Sequence, residues 1–153
     1  MERTLVLVKP DGVQRGLVAE ILGRFERRGL HFVGMKFMLV SPELAARHYA
    51  EHEGKRFYPG LIAFITSSPV VAMVFEGPGV VAAVRAMMGA TNPANAAPGT
   101  IRGDLALDFG MNTVHGSDSP ERGEQEVALF FATDELVSWE SASSAWVHEQ
   151  PGG

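Results

Sequence analysis

The stretch Asn112-Thr113-Val114-His115-Gly116-Ser117-Asp118-Ser119 holds the residue types best suited to covalent chemistry in this chain. A neutral imidazole is a good nucleophile near pH 7, and its ordinary pKa of about 6.5 leaves much of it deprotonated there. Gly116 leaves room for a bulky group to approach His115. Ser117, Asp118 and Ser119 supply hydroxyls and a carboxylate that can fix one imidazole tautomer. The stretch is predicted to be a loop entering a helix, with Ser119 as N-cap and Pro120 at the first helical position. A structurally satisfied histidine is the ordinary alternative.

The cations are placed unevenly. From Phe57 to Glu121 the only lysines or arginines are Arg85 and Arg102. Planar guanidinium groups suit phosphate because they bond it bidentately; solvated or structurally paired side chains are the other reading. Glycine-rich phosphate cradles are missing, since the Gly54-Lys55 pair has Tyr49 where a P-loop needs glycine. A nucleotide would therefore be held by side chains, with Lys9, Arg85, Thr91 and Arg102 as available donors. Two further patterns carry less. His48-Tyr49-Ala50-Glu51-His52 fits a zinc-peptidase signature, which needs a third ligand downstream and a much larger substrate cleft. These residues are predicted to lie on a helix surface, with Glu51 at the border of a nucleotide site. Arg102-Gly103-Asp104 is the adhesion tripeptide in a chain with no extracellular signature.

The elements that must position these groups follow from periodicity. Thr4–Val8 is a continuous apolar run and predicts a central strand, ended by a turn at Lys9-Pro10-Asp11-Gly12. Leu17, Ile21, Leu22 and Phe25 predict a helix closed by Gly29. Residues 31–40 predict a second strand, apolar on both faces. Ser41-Pro42 starts a helix running through Ala45, Ala46 and Tyr49. A short helix is expected over Leu61–Ile65, a third buried strand over Val70–Phe75 and a helix over Val80–Met88. Residues 89–114 lack clear periodicity and predict a long loop, a feature that is usually functional or disordered. A helix from Ser119, a short fourth strand over Ala128–Phe131, a short helix at Thr133–Leu136 and a loose tail from Ser141 complete the chain. This pattern fits an α/β or α+β sandwich and leaves the strand order open.

Length supports one domain spanning 1–153, with 141–153 as a C-terminal tail. No apolar run approaches the roughly 20 residues of a membrane helix. The N-terminus lacks a signal-peptide pattern, so a cytoplasmic location is expected. The net charge of −5 argues against broad nucleic-acid binding and requires any anionic substrate to meet a local basic patch. No stable nucleic-acid or membrane partner is expected.

The run NxxHGSDS resembles the active-site signature of nucleoside diphosphate kinases. The resemblance extends from Arg3-Thr4-Leu5-Val6-Leu7-Val8-Lys9-Pro10-Asp11 to Ser144-Ala145-Trp146-Val147-His148-Glu149, through Thr91-Asn92-Pro93-Ala94 and Pro98-Gly99-Thr100-Ile101-Arg102-Gly103-Asp104. It implies an α+β, ferredoxin-like sandwich, a four-stranded antiparallel sheet covered by helices, with 89–114 as an inserted loop. It implies transfer of a γ-phosphate between nucleotides through a phosphohistidine on His115, with Glu126 holding the far ring nitrogen. On spacing alone Glu126 would be a solvated helix carboxylate. The matching positions imply Lys9 at the sugar 3′-hydroxyl and phosphates, and Arg85, Thr91 and Arg102 at the phosphates. They further imply Asn112 at the ribose, Phe57 stacked on the base, and Tyr49 near the histidine. Mg²⁺ would bridge phosphate oxygens. Stacking reads no base edge, so broad base tolerance is expected. Phe109 departs from the family pattern, where a smaller aliphatic residue usually stands, and puts fine base preference in doubt. A non-catalytic nucleotide-binding subunit is the alternative.

Assembly is expected too. Residues 31–40 are too apolar for a free strand edge, which predicts pairing with a second copy. The resemblance implies that the long loops meet around a three-fold axis. A homo-hexamer, a dimer of trimers, is implied by the Trp146-containing tail.

Overall fold

The structure, a computed structural model, describes residues 1–151. Strand β1 (Arg3–Val8) is followed by a one-turn helix α1 (Pro10–Gln14) and by α2 (Val18–Arg28). Strand β2 (His31–Met38) leads through α3 (Pro42–His48), a 3-10 turn at Ala50–His52 and α4 (Tyr58–Ile65) to β3 (Val70–Glu76). Helix α5 (Val80–Met88), a 3-10 turn at Pro93–Asn95 and α6 (Ile101–Leu105) precede β4 (Val114–Gly116) and α7 (Pro120–Phe130). Two 3-10 turns, Thr133–Glu135 and Ser144–Trp146, lie in the C-terminal segment. Residues 152 and 153, the end of the expected tail, lie outside the described residues.

The sheet has the order β2-β3-β1-β4, and every neighbouring pair is antiparallel. Alternation along β1 divides the core in two. Val6 and Val8 face α2 and α5, packing with Ile21, Phe25, Val84 and Met88. Leu5 and Leu7 face the other side, packing with Ala45 of α3, Ile65 of α4 and Val127 and Phe130 of α7. A strand buried on both faces has no polar positions, which is why β1 and β3 read as unbroken apolar runs. This is the α+β sandwich, with helices on both faces of a four-stranded sheet.

Local signals set several ends as expected. Gly29 closes α2 with φ 98°, and the Ser41 hydroxyl accepts from the Leu44 amide at 3.0 Å. The Ser119 hydroxyl accepts from the Arg122 amide at 3.1 Å at the start of α7.

Three expectations are corrected. Ala128–Phe131 is not a strand: α7 runs through to Phe130. Its buried residues Gly123, Glu126, Val127 and Phe130 recur at helical spacing, whereas four apolar residues viewed alone fit either period. The fourth strand is instead Val114–Gly116, too short to show alternation. Lys9-Pro10-Asp11-Gly12 is not a simple turn, because Pro10 opens α1 at a position where its missing N–H costs nothing. The segment 89–114 is not structureless. Thr100 caps α6 by accepting from the Gly103 amide at 3.0 Å, and Ile101 is buried in the core. A five-residue helix is shorter than two turns and leaves no periodic trace.

Candidate active site

Strand register places the histidine. His115 lies opposite Leu7 of β1, so its side chain emerges on the Leu5–Leu7 face, towards α3 and α7. A slip of one residue would turn it to the α2–α5 face. Gly123 has no side chain where α7 crosses β1, and an added Cβ would strike the Arg3 carbonyl. Helix α7 therefore closes on the sheet and brings Glu126 to the histidine.

Glu126 is 3% exposed. Its Oε1 accepts from His115 Nε2 at 3.0 Å and from the Ser117 hydroxyl at 2.6 Å. A carboxylate on Nε2 leaves the proton there and makes Nδ1 the lone-pair nitrogen. Nδ1 has no hydrogen-bond partner among the described residues. The Ser117 hydroxyl is fixed in turn by the Leu5 amide, which donates to it at 3.0 Å. Burial raises the Glu126 pKa, but the His115 and Ser117 hydrogen bonds outweigh it and hold the carboxyl at about 2. Asp118, expected to help fix the tautomer, is exposed and takes no part in this chain of bonds. Gly116 gives its space to the protein itself: an added Cβ would lie 2.7 Å from Met88 Cε.

His48 was expected on a helix surface. It is 4% exposed, its ring edge-on to His115 with centroids 4.9 Å apart. Burial first, then the nearby His115, push its pKa down to about 3, so it is neutral. The zinc-peptidase spacing does not converge. His52 is turned to Glu51 and Lys55, whereas the donor atoms that come together are those of His48, His115 and Glu126.

The backbone leading into β4 is strained. Thr113 is buried with φ 67°, a conformation that a β-branched residue rarely adopts. Its amide donates to Asp11 Oδ2 at 3.0 Å and its carbonyl accepts from the Lys9 amide at 2.8 Å. These bonds lock the end of β1 to the entry of β4. Lys9 Nζ then reaches Asn112 Oδ1 at 2.8 Å, and Asn112 Nδ2 donates to the Thr91 carbonyl at 3.1 Å. Burial lowers the Lys9 pKa to about 8, with Asp11 opposing and Arg102 assisting. Arg102 is 6% exposed and donates to the carbonyls of Asn112, Gly89 and Val114 at 3.2, 3.0 and 2.7 Å. Burial and Arg85 lower its pKa to about 10, still charged at neutral pH. The same guanidinium that faces the cleft thus ties the 89–114 segment together. Tyr49 is raised to about 12 by burial and by Glu126, so its hydroxyl keeps its proton.

A cleft of about 740 Å³ collects these groups. Its walls include Lys9, Tyr49, Phe57, Arg85, Thr91, Arg102, Asn112, His115 and Glu126, all nine residues singled out from the sequence. Phe57 and Phe109 both line it and are 53% and 63% exposed, open to a stacking partner. Four cations, Lys9, Arg85, Arg102 and Arg122, line the cleft of this net-negative chain, beside the carboxylates of Glu51, Asp118 and Glu126. A family model described as nucleoside diphosphate kinase matches residues 2–136. A nucleoside diphosphate kinase of Thermosynechococcus vestitus is 61% identical over 149 residues, which are 97% of this chain and 99% of that protein.

The chain belongs to the nucleoside diphosphate kinase family.

A nucleoside diphosphate kinase of Archaeoglobus fulgidus is 58% identical over 150 residues, 98% of this chain and 99% of that protein. Among solved structures, a halophilic nucleoside diphosphate kinase from Halobacterium salinarum in complex with CDP superposes with a TM-score of 0.94. It is 57% identical and covers 97% of this chain and 99% of its own. A family protein from Babesia bovis gives the same TM-score, 0.94, at 44% identity. Among the described residues no helix is long and apolar enough to cross a membrane.

Sequence reasoning missed three participants in the family's cleft here. His48 and Arg122 both line it, and Thr113 shapes it without reaching it. The signal for Arg122 was present: it lies one turn before Glu126 on a helix whose start the sequence marked. Nothing local signals the backbone of Thr113.

Proposed function

We propose that this chain transfers the γ-phosphate of a nucleoside triphosphate to a nucleoside diphosphate by a ping-pong reaction through His115. The observation that carries the reading is the hydrogen bond from His115 Nε2 to the buried Glu126, which leaves Nδ1 with its lone pair. The Nδ1 lone pair attacks the γ-phosphorus, the bond to the bridging oxygen breaks, and the diphosphate leaves with that electron pair. The phosphorus–nitrogen bond then breaks as a second diphosphate attacks. As nitrogen becomes bonded to phosphorus, positive charge builds on the ring, and the Glu126 carboxylate stabilises it.

The remaining roles follow from chemistry and position. Arg85, Thr91 and Arg102 bind the phosphates, and Lys9 adds charge there. Lys9 and Asn112, already bonded to each other, present a donor and an acceptor to the sugar hydroxyls. The Tyr49 hydroxyl is a protonated donor near the histidine. Phe57 stacks on the base face, which supports tolerance of purines and pyrimidines. Mg²⁺ suits the phosphates more than the protein. Among the described residues the one close group of donors, His48, His115 and Glu126, is nitrogen-rich and of the kind softer metals prefer, while Lys9, Arg85 and Arg102 crowd the cleft with positive charge. Bound through the nucleotide, Mg²⁺ would neutralise phosphate charge.

The same reading includes a cytoplasmic chain folded as one domain over 1–153, assembled as a homo-hexamer. Its support is the edge strand β2, which displays Met35 and Phe37, 43% and 68% exposed, with Leu39 just after the strand 67% exposed, and Trp146, 90% exposed on the tail. Incubation with γ-labelled ATP tests the reaction. The labelled protein should survive alkali and lose its label in acid, and His115→Ala should bind nucleotide without becoming labelled. Full turnover by that variant would refute the mechanism.

A further inference from the structure

Arg122 stands on the first turn of α7, one turn before Glu126, with its side chain 30% exposed in the same cleft. The site described so far accounts for one oxygen of Glu126. Oε1 takes both the His115 ring and the Ser117 hydroxyl. Oε2 takes Arg122 Nη2 at 3.4 Å, its only hydrogen bond among the described residues. The other polar atom beside it, His48 Nδ1, stays 3.8 Å away, buried and without a hydrogen-bond partner among the described residues. Arg122 is itself held, by Gln125 Oε1 at 3.0 Å and by Glu51 Oε1 at 3.8 Å across the cleft.

A carboxylate bonded through one oxygen only can swing about its last torsion, since such sp³–sp² torsions are broad. Bonded at both oxygens, its plane is fixed. We propose that Arg122 is a positioning residue for phosphoryl transfer: it anchors Oε2 of Glu126, so that Oε1 stays on His115 Nε2 and Nδ1 remains the attacking nitrogen. The inference rests on His115 being the phosphorylated residue. An ordinary pair of residues one turn apart on a solvated helix would do little, because water competes for both charges. Here the acceptor is almost fully buried, and its other oxygen holds the nucleophile.

The test compares wild type with Arg122→Met, which keeps the apolar stem, and Arg122→Lys, which restores a charge. Two measurements are made on protein whose circular dichroism and melting point show it folded. Nitrogen-15 NMR of the His115 ring in nucleotide-free protein reports the tautomer. Rapid-quench labelling with γ-labelled ATP reports phosphorylation. Arg122→Met should show a mixture of tautomers where wild type shows Nε2–H. Its phosphorylation should be about tenfold slower, the scale seen for partners that orient a reacting ligand, with KM for ATP unchanged. Arg122→Lys should recover part of both. A wild-type tautomer and a rate within about twofold of wild type in Arg122→Met would overturn the proposal. So would a raised KM with the tautomer unchanged, which would make Arg122 a phosphate ligand instead. If wild type takes no label at all, the phosphohistidine reading fails, and the tautomer measurement still decides whether Arg122 holds the carboxylate.

Discussion

Glu126→Gln is the sharpest perturbation of the proposed chemistry, because it removes the charge while keeping the shape of the side chain. The amide oxygen can still accept from His115 and Ser117, which bond Oε1 at 3.0 and 2.6 Å. Its NH₂ group then replaces Oε2 and faces the Arg122 guanidinium, donor against donor. The negative charge beside the imidazole is lost in a site where Glu126 is 3% exposed and water cannot replace it. A hydrogen bond to a charged group contributes about 1.5–3 kcal/mol, which corresponds to about a 10- to 150-fold loss of rate. That loss falls on the step in which the ring becomes positive. Rapid-quench labelling with γ-labelled ATP should show slower phosphorylation, with KM little changed because phosphate and base contacts lie elsewhere. Stability should shift as well. The carboxyl pKa is lowered from 4.5 to about 2 in the folded protein. Ionised Glu126 therefore contributes stability above pH 4.5 that drains away as pH falls towards 2. The glutamine variant should lack that part of the acid dependence. A labelling rate within twofold of wild type (about 0.4 kcal/mol) would refute the assigned role of the carboxylate.

Three further outcomes are expected. Lys9, lowered to about 8 by burial, is charged below that pH and neutral above it. Nucleotide affinity should fall as pH rises through 8, by at most about tenfold per pH unit, and Lys9→Arg should remove the step; calorimetry with a diphosphate showing constant affinity from pH 7 to 10 would contradict it. His48 is held neutral, its pKa lowered from 6.5 to about 3, so the folded state loses stability as pH falls below 6.5. His48→Phe keeps an aromatic contact with Phe130 and should melt at a temperature less sensitive to pH between 6.5 and 4.5, above the Glu126 range; an unchanged slope would contradict the burial argument. Light scattering should find a hexamer, shifted towards smaller species when residues 141–153 are removed, whereas a stable active monomer at micromolar concentration would reject the assembly argument.

Much of this protein was legible in its sequence because the information is local. The apolar runs of β1 and β3, the glycine after α2, and the Ser-Pro starts of α3 and α7 are each decided by a few neighbouring residues. The histidine in its small polar stretch, the two isolated arginines and the signature around them were legible for the same reason. All nine chosen residues line one cleft. What the sequence left open is what distance in the chain conceals. The face on which His115 emerges depends on its register opposite Leu7, and a strand of three residues carries no alternation to announce it. Glu126 looked like a solvated carboxylate until the helix stripe of Gly123, Val127 and Phe130 packed it against the sheet. His48 looked like a surface residue until α3 met α7 around it. Thr113 is held at positive φ by Asp11 and Lys9, more than a hundred residues away in sequence. Residue type and spacing determined which groups were available for the chemistry. Strand register and helix packing decided which face they share and which are buried, and through burial and hydrogen bonding set their charges, because those depend on neighbours that only the folded chain brings together.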